Sequence, residues 1–214
     1  MKCVDVVNKL PKNPDKQYSE RPIKAIQYAV VHHSLTANIS RDGDIYAFAR
    51  YHINRHGWPG IGYHYVIDTD GIIYKTNYLT TKSYHVGDSN YTSIGICLVG
   101  DFRKTKPTPK QKKALTELLS GLRATYNIKI RGHSEMPGYS WKKCPALDMD
   151  KVRDRVYKTF NIYGKNQSKV EVNSNAEGDI KEGKEWKENT NLLTKLLRLI
   201  LSLIKNVISS ITKK

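Results

Sequence analysis

Two short runs constrain this fold more than any other feature of the chain: Ala25–His32 (AIQYAVVH) and Ser93–Val99 (SIGICLV). Both are apolar over consecutive positions and rich in β-branched residues, the pattern of strands buried within a sheet. Such strands need helices to cover them, and the intervening sequence supplies candidates. Asp42–Arg55 reads as a helix, with Ile45, Phe48, Ala49 and His52 on one face and His56-Gly57 as its stop. Tyr63–Thr69 and Ile72–Thr76 flank Asp70-Gly71 and predict a hairpin. Thr108 and Pro109 open a second helix running to about Tyr126, by an N-cap and a first-turn proline. Ile128–Ile130 reads as a short strand, and Asp148 as the cap of a last helix, Met149–Phe160. Alternating strands and helices, interrupted by one hairpin, predict an α/β domain with a central mixed sheet flanked by helices.

That domain occupies residues 1–160. Hydrophobic residues make up 39% of the 214-residue chain, enough for a packed core. Residues 161–190 are rich in Asn, Ser, Gly, Lys and Glu and read as a flexible mixed-charge linker. Residues 191–212 (NLLTKLLRLILSLIKNVISSIT) place Asn191, Lys195, Arg198, Ser202, Lys205 and Ser209 on one stripe, with Leu and Ile on the rest. The three cations disfavour a simple membrane span, so 191–214 is expected to be a cationic amphipathic helix in a membrane interface. The same pattern also suits a helix that docks on its own domain or self-associates.

The net charge is +16, of which residues 1–160 carry +12 through 26 Lys+Arg against 14 Asp+Glu. A basic surface favours an anionic partner, namely nucleic acid, anionic membrane or the bacterial wall, without choosing among them. Three widely spaced cysteines, Cys3, Cys97 and Cys144, make a poor disulfide framework and suit a reducing compartment where thiolates can bind metal. The stretch from Met1 to Tyr18 is polar, with no apolar segment of the kind a secretory signal needs.

Three candidate metal ligands stand at strand ends and loops. His32 closes the first strand, His133 follows Ile128–Ile130 in RGHSEMPG, and Cys144 lies in WKKCPA. Two imidazoles and a thiolate are three of the four ligands of tetrahedral zinc, leaving one position for a water whose pKa zinc lowers to about 7. The spacing alone matches no short zinc-finger pattern.

Several stretches together are more specific: VVHHS at Val30–Ser34, HGWPGIGYHYVIDTDG at His56–Gly71, SIGICLVG at Ser93–Gly100, RGHSE at Arg131–Glu135 and KKCPALD at Lys142–Asp148. In order and spacing they resemble the type 2 N-acetylmuramoyl-L-alanine amidases, which include phage endolysins, the T7-type lysozymes in particular, and peptidoglycan recognition proteins. The resemblance covers about residues 25–156. It implies the amidase/peptidoglycan-recognition fold and one zinc ion on His32, His133 and Cys144. It implies, too, that Tyr63 and Lys142 act on the substrate carbonyl or the water, and that peptidoglycan rather than nucleic acid is the partner. His85 and Asn90 (HVGDSNYTSIG) match positions lining the groove for peptide and muramic acid. The setting it suggests is phage lysis: host bacterial cytoplasm first, then the cell wall, with anionic membrane as a further partner through the C-terminal helix.

The neighbours of these residues have plainer readings. His33 and His64 each follow a site residue on a strand, so they point the other way and are expected to pack. Glu135 reads equally as a partner for His133 or as a surface carboxylate. Cys97 reads as an inert core thiol, and Cys3 has no assigned role. The ten residues between His133 and Cys144, among them Pro137, Gly138, Tyr139 and Trp141, make a loop longer than that of the T7-type lysozymes.

Overall fold

The two apolar runs become neighbours at the centre of a six-stranded sheet in the computed structural model, which describes residues 2–37 and 44–160. In chain order the strands are β1 (Cys3–Asp5), β2 (Tyr28–His33), β3 (Tyr65–Ile67), β4 (Ile73–Lys75), β5 (Ser93–Leu98) and β6 (Lys129–Gly132). They lie in the order β1-β4-β3-β5-β2-β6. β2 is parallel to both β5 and β6, and β3 is parallel to β5. The β3–β4 hairpin supplies the antiparallel pairing, and β1 runs parallel to β4. At the hairpin tip the Asp68 carboxylate accepts from the amides of Asp70 and Ile72 at 3.0 and 2.8 Å.

Among the described residues, three helices flank this sheet: α1 (Asp44–His56), α2 (Pro109–Tyr126) and α3, helical over residues 149–160. α1 stops where Gly57, at φ +62°, takes a left-handed conformation and donates its amide to the Ile53 carbonyl. α2 begins with a reciprocal cap. Thr108 Oγ1 accepts from the Gln111 amide, Gln111 Oε1 accepts from the Thr108 amide, and both distances are 3.0 Å. The same Gln111 amide group donates to the Val99 carbonyl at 2.9 Å, tying the helix start to the end of β5. Asp148 caps α3 by accepting from the Lys151 amide at 3.1 Å.

Strand alternation sorts the central side chains onto two faces. Ala29, Val31, Ile94, Ile96, Leu98, Tyr65 and Ile67 point to one face, under Leu115, Leu118, Leu119 and Leu122 of α2 and Val152 and Val156 of α3. Each large aliphatic side chain buried there contributes about 1.5–3 kcal/mol. Cross-strand partners on the other face are His32, Cys97 and Val66. Ile45 and Ala49 of α1 pack against Val66 and Cys97, and Val30, Val86 and Met136 form a smaller cluster beside them.

The sequence leaves two features unassigned or misplaced. The edge strand β1 is three residues long, and its existence depends on β4 lying beside it. Ile23–Ala25 forms a 3-10 turn, so β2 starts at Tyr28, three residues later than the apolar run suggests. Asp42, the expected linker 161–190 and the expected amphipathic helix 191–214 lie outside the described residues. Residues Met1–Phe160 form one compact unit.

Candidate metal centre

His32 is near the C-terminal end of β2, on the face that the aliphatic core leaves free. His133 opens a 3-10 turn directly after β6, and Cys144 lies on the following loop. The sheet thus brings together residues 112 positions apart. One ligand atom from each of the three lies within 4.8 Å of the other two. Cys144 Sγ is 3.9 Å from His32 Nδ1, and the rings of His32 and His133 have centroids 4.5 Å apart. A sulfur at ~2.3 Å and a nitrogen at ~2.0 Å from one tetrahedral ion stand ~3.6 Å apart, close to what these residues present. His133 Nε2 is buried with no hydrogen-bond partner. A buried imidazole nitrogen without a partner costs on the order of 1–3 kcal/mol, a cost that a bound cation removes. Donor set, spacing and the orphaned nitrogen all fit a zinc ion.

The electrostatics agree. Burial, reinforced by the neighbouring histidines, holds the His32 pKa well below the ordinary imidazole range. Burial and then the Lys142 ammonium lower that of His133 to about 4. Both rings are therefore neutral at physiological pH, with lone pairs available. Burial pushes the Cys144 thiol up to about 11, so it keeps its proton until a cation displaces it.

Two further residues border the trio. The Tyr63 ring centroid is 5.4 Å from that of His32, and its hydroxyl lies beside the Cys97 thiol. Burial holds this phenol well above its ordinary pKa, so it stays a donor. Its backbone is fixed by Thr76 Oγ1 and Asn77 Nδ2, which donate to the Tyr63 carbonyl at 2.8 and 2.7 Å. The Lys142 ammonium sits 4.5 Å from the Trp141 ring centroid and 5.8 Å from that of Tyr139, close enough to act electrostatically on His32, His133 and Cys144. Trp141 is 73% exposed.

His85 and Asn90 come together beside His32. Both are buried, 9% and 7% exposed. His85 Nδ1 lies 3.1 Å from His32 Nε2, and the Asn90 side-chain oxygen accepts from the amides of His85 and Val86 at 2.9 and 2.8 Å. A loop folded back onto the sheet makes this placement, and the one-dimensional sequence does not show that path. Glu135 takes the second of its two readings: it accepts from the Gly132 amide at 2.8 Å and forms a bidentate pair with Arg153 at 2.8 and 3.0 Å. His33 points to the opposite face, where Nδ1 accepts from the Phe102 amide at 3.1 Å. His64 is packed, with Nδ1 accepting from the Gly95 amide at 3.0 Å. Cys97 is fully buried, as a core thiol should be, but it also touches Tyr63.

One residue that the sequence does not single out organises the loop. Arg21 is 3% exposed and donates to the carbonyls of Leu79, Asn90, Tyr91 and Ser93 at 2.6 to 3.2 Å. Burial lowers its pKa to about 10, which still leaves it charged. Its only sequence signal is its place in a polar stretch just before the first buried strand.

The fold sets His32, His133 and Cys144 together as a candidate metal site at the ends of the central strands. The family model described as N-acetylmuramoyl-L-alanine amidase matches residues 21–147, and the chain belongs to that family. It is 36% identical over 101 residues to the endolysin of Enterobacteria phage K11, covering 44% of this chain and 65% of that protein. It is 32% identical over 102 residues to peptidoglycan-recognition protein 2 of Holotrichia diomphalia, covering 46% of this chain and 53% of that protein. The chain thus spans less than two thirds of either relative. Its fold matches the endolysin amidase LysCS of Clostridium intestinale URNW with a TM-score of 0.61 at 24% identity, covering 73% of this chain and 95% of the other.

Proposed function

We propose that this chain is a zinc-dependent N-acetylmuramoyl-L-alanine amidase, an endolysin that cuts the amide between the lactyl group of N-acetylmuramic acid and L-alanine in peptidoglycan. The observation that carries this reading is the convergence of His32, His133 and Cys144 within 4.8 Å, with His133 Nε2 left buried and unpartnered. His32 Nδ1, His133 Nε2 and Cys144 Sγ are the atoms that would hold the ion. When bound, zinc supplies Lewis acidity, polarising a carbonyl and making water acidic near neutral pH.

The chain's own residues account for the rest. Water adds to the lactyl carbonyl carbon, and negative charge collects on the carbonyl oxygen. Lys142 is the cation available to stabilise that charge as it develops. The Tyr63 hydroxyl, a donor at every physiological pH, orients the water or hydrogen-bonds the tetrahedral species. The C–N bond then breaks, its electron pair goes to nitrogen, which takes up the two protons of the added water, and the L-alanine amine leaves as an ammonium with the lactyl group left as a carboxylate. The net +12 of residues 1–160 supports retention at an anionic wall or membrane.

The test is amide cleavage on purified peptidoglycan, following new L-alanine amino termini together with bound zinc. Wild type should release termini and hold zinc, whereas Cys144→Ser should lose both. A wild type that binds zinc and wall yet frees no amino termini would sink the catalytic reading and leave a wall-binding module in its place.

A further inference from the structure

The ring of His85 sits in a place made for it. It lies flat against β5 at Gly95, where a Cβ would stand 2.7 Å from His85 Cγ, so any larger residue at Gly95 would push the ring away. Asn90 fixes the backbone of the 85–86 turn, and Arg21 ties down the carbonyls of Asn90, Tyr91 and Ser93 around it. These fixtures hold a buried imidazole with one nitrogen toward His32 and the other toward Ser93.

The direction of the protons along this line follows from its far end. Ser93 Oγ is 2.6 Å from the Ser89 carbonyl, which can only accept, so the hydroxyl hydrogen is spent there. Ser93 Oγ must then accept from His85 Nε2, across a long contact of 3.4 Å. His85 therefore carries its hydrogen on Nε2 and presents a bare Nδ1 to His32, 3.1 Å away. His32 Nε2 must donate into that lone pair, which leaves His32 Nδ1 without a hydrogen, and Nδ1 is the atom facing Cys144 Sγ. From the opposite tautomer, His32 would present an N–H to the ion.

We infer that His85 is a positioning residue: with Ser93 and the Ser89 carbonyl it fixes the tautomer and ring orientation of His32, so that Nδ1 reaches the metal centre already stripped of its proton. This goes beyond the proposed activity and rests on it only for the identity of the metal. Metal-ligating histidines depend on such hydrogen bonds, usually to a carboxylate or carbonyl, and losing the partner typically costs 10–100-fold in affinity. A neutral imidazole in that place adds no negative charge to the centre, so its effect is orientation alone.

The experiment is zinc titration against a competing chelator on the full chain, alongside nitrogen-15 NMR of the histidine rings with and without zinc. His85→Leu, which removes the acceptor, should weaken zinc binding by about 10–100-fold. His85→Gln keeps an acceptor oxygen for His32 Nε2 and should recover affinity to within about threefold of wild type. Ser93→Ala removes a more distant link and should produce a smaller loss in the same direction. In the metal-free wild type the His32 proton should be on Nε2. A packing role alone would make the Leu and Gln variants equally weak, and that equality would overturn the inference. So would a metal-free His32 with its proton on Nδ1, or wild-type affinity in His85→Leu. Should His85→Leu fail to fold, the Gln and Ser93 variants and the wild-type spectrum decide the matter. A wild type that binds no zinc would instead defeat the zinc reading, while the tautomer of metal-free His32 would still test the relay.

Discussion

The two faces of the central sheet, built from the same strands, have been put to opposite uses. On one, Val31, Ile94, Ile96, Leu98 and Ile67 meet the leucines of α2 and make a dry aliphatic layer. On the other, the same strands carry His32, Ser93, Gly95 and Cys97, which meet His85, His64 and Tyr63. The first face provides stability through area alone. The second gives up apolar contact and satisfies its polar atoms one by one, and the nitrogen it leaves unsatisfied belongs to His133 in the candidate metal centre. Adjacent residues show the contrast best. His33 accepts from a loop amide on the aliphatic side, while His32, one position earlier, faces the candidate metal site.

If that division is real, damage to one face should leave the other's property intact. The largest effect expected is on the aliphatic side: Ile96→Ala should cost about 2–5 kcal/mol of unfolding free energy in denaturant titration. The zinc affinity of the folded fraction should stay unchanged, and a matching loss of affinity would mean that the two faces are coupled.

The histidine face should answer to pH instead. Between about pH 5 and pH 9 its imidazoles are already neutral while Cys144, at about 11 without metal, must give up a proton to bind. Zinc affinity should therefore rise about tenfold per pH unit over that window. A flat profile would show that the thiol is not a ligand.

The same face should weigh on stability in acid. Burial lowers the pKa of His52 to about 4 and that of His64 well below normal, so both bind protons more readily when unfolded. Their stabilising contribution is complete above the unfolded value of about 6.5 and is lost as pH falls through the folded values. Metal-free protein should melt progressively lower from pH 7 to pH 4. An unchanged melting temperature across that range would mean that these rings are not held neutral by the fold.

The smallest effect concerns the cover of the aliphatic face. Thr108→Ala removes the α2 cap and should cost about 1 kcal/mol, read as a lower denaturation midpoint with unaltered zinc binding.

Where a signal is local, the sequence shows the structure well. The Thr108-Pro109 start and the Tyr126 end of α2, the Gly57 stop, the Asp70-Gly71 hairpin and the start of α3 depend on residues within a few positions of each other, and they appear where expected. The grouping of His32, His133 and Cys144 could be anticipated because their residue types are rare in such contexts and because the surrounding stretches resemble a known family. The three-residue strand β1 was not readable, since it exists by pairing with β4. Nor were the positions of His85 and Asn90 inside the protein, or the part played by Arg21. Those follow from the path of the loop between β4 and β5, which backbone carbonyls and a buried guanidinium dictate together.

The twin histidines also bear on how the chain avoids folding wrongly. β2 is held on both sides by parallel partners, and its run of Val30, Val31, His32 and His33 is nearly self-similar under a shift of one. A slip by a single residue would swap the faces of the entire strand. His33 would then arrive near the metal position with a plausible ligand atom, while His32 would be driven in among Ile96 and the leucines. Zinc alone could not tell the two arrangements apart, because each offers it an imidazole. The aliphatic layer rejects the slipped one, since at the place Val31 fills beside Ile96 it has no partner for an imidazole, whereas His33 in its own place has the Phe102 amide. The side of the sheet that takes no part in chemistry is thus what selects which histidine does.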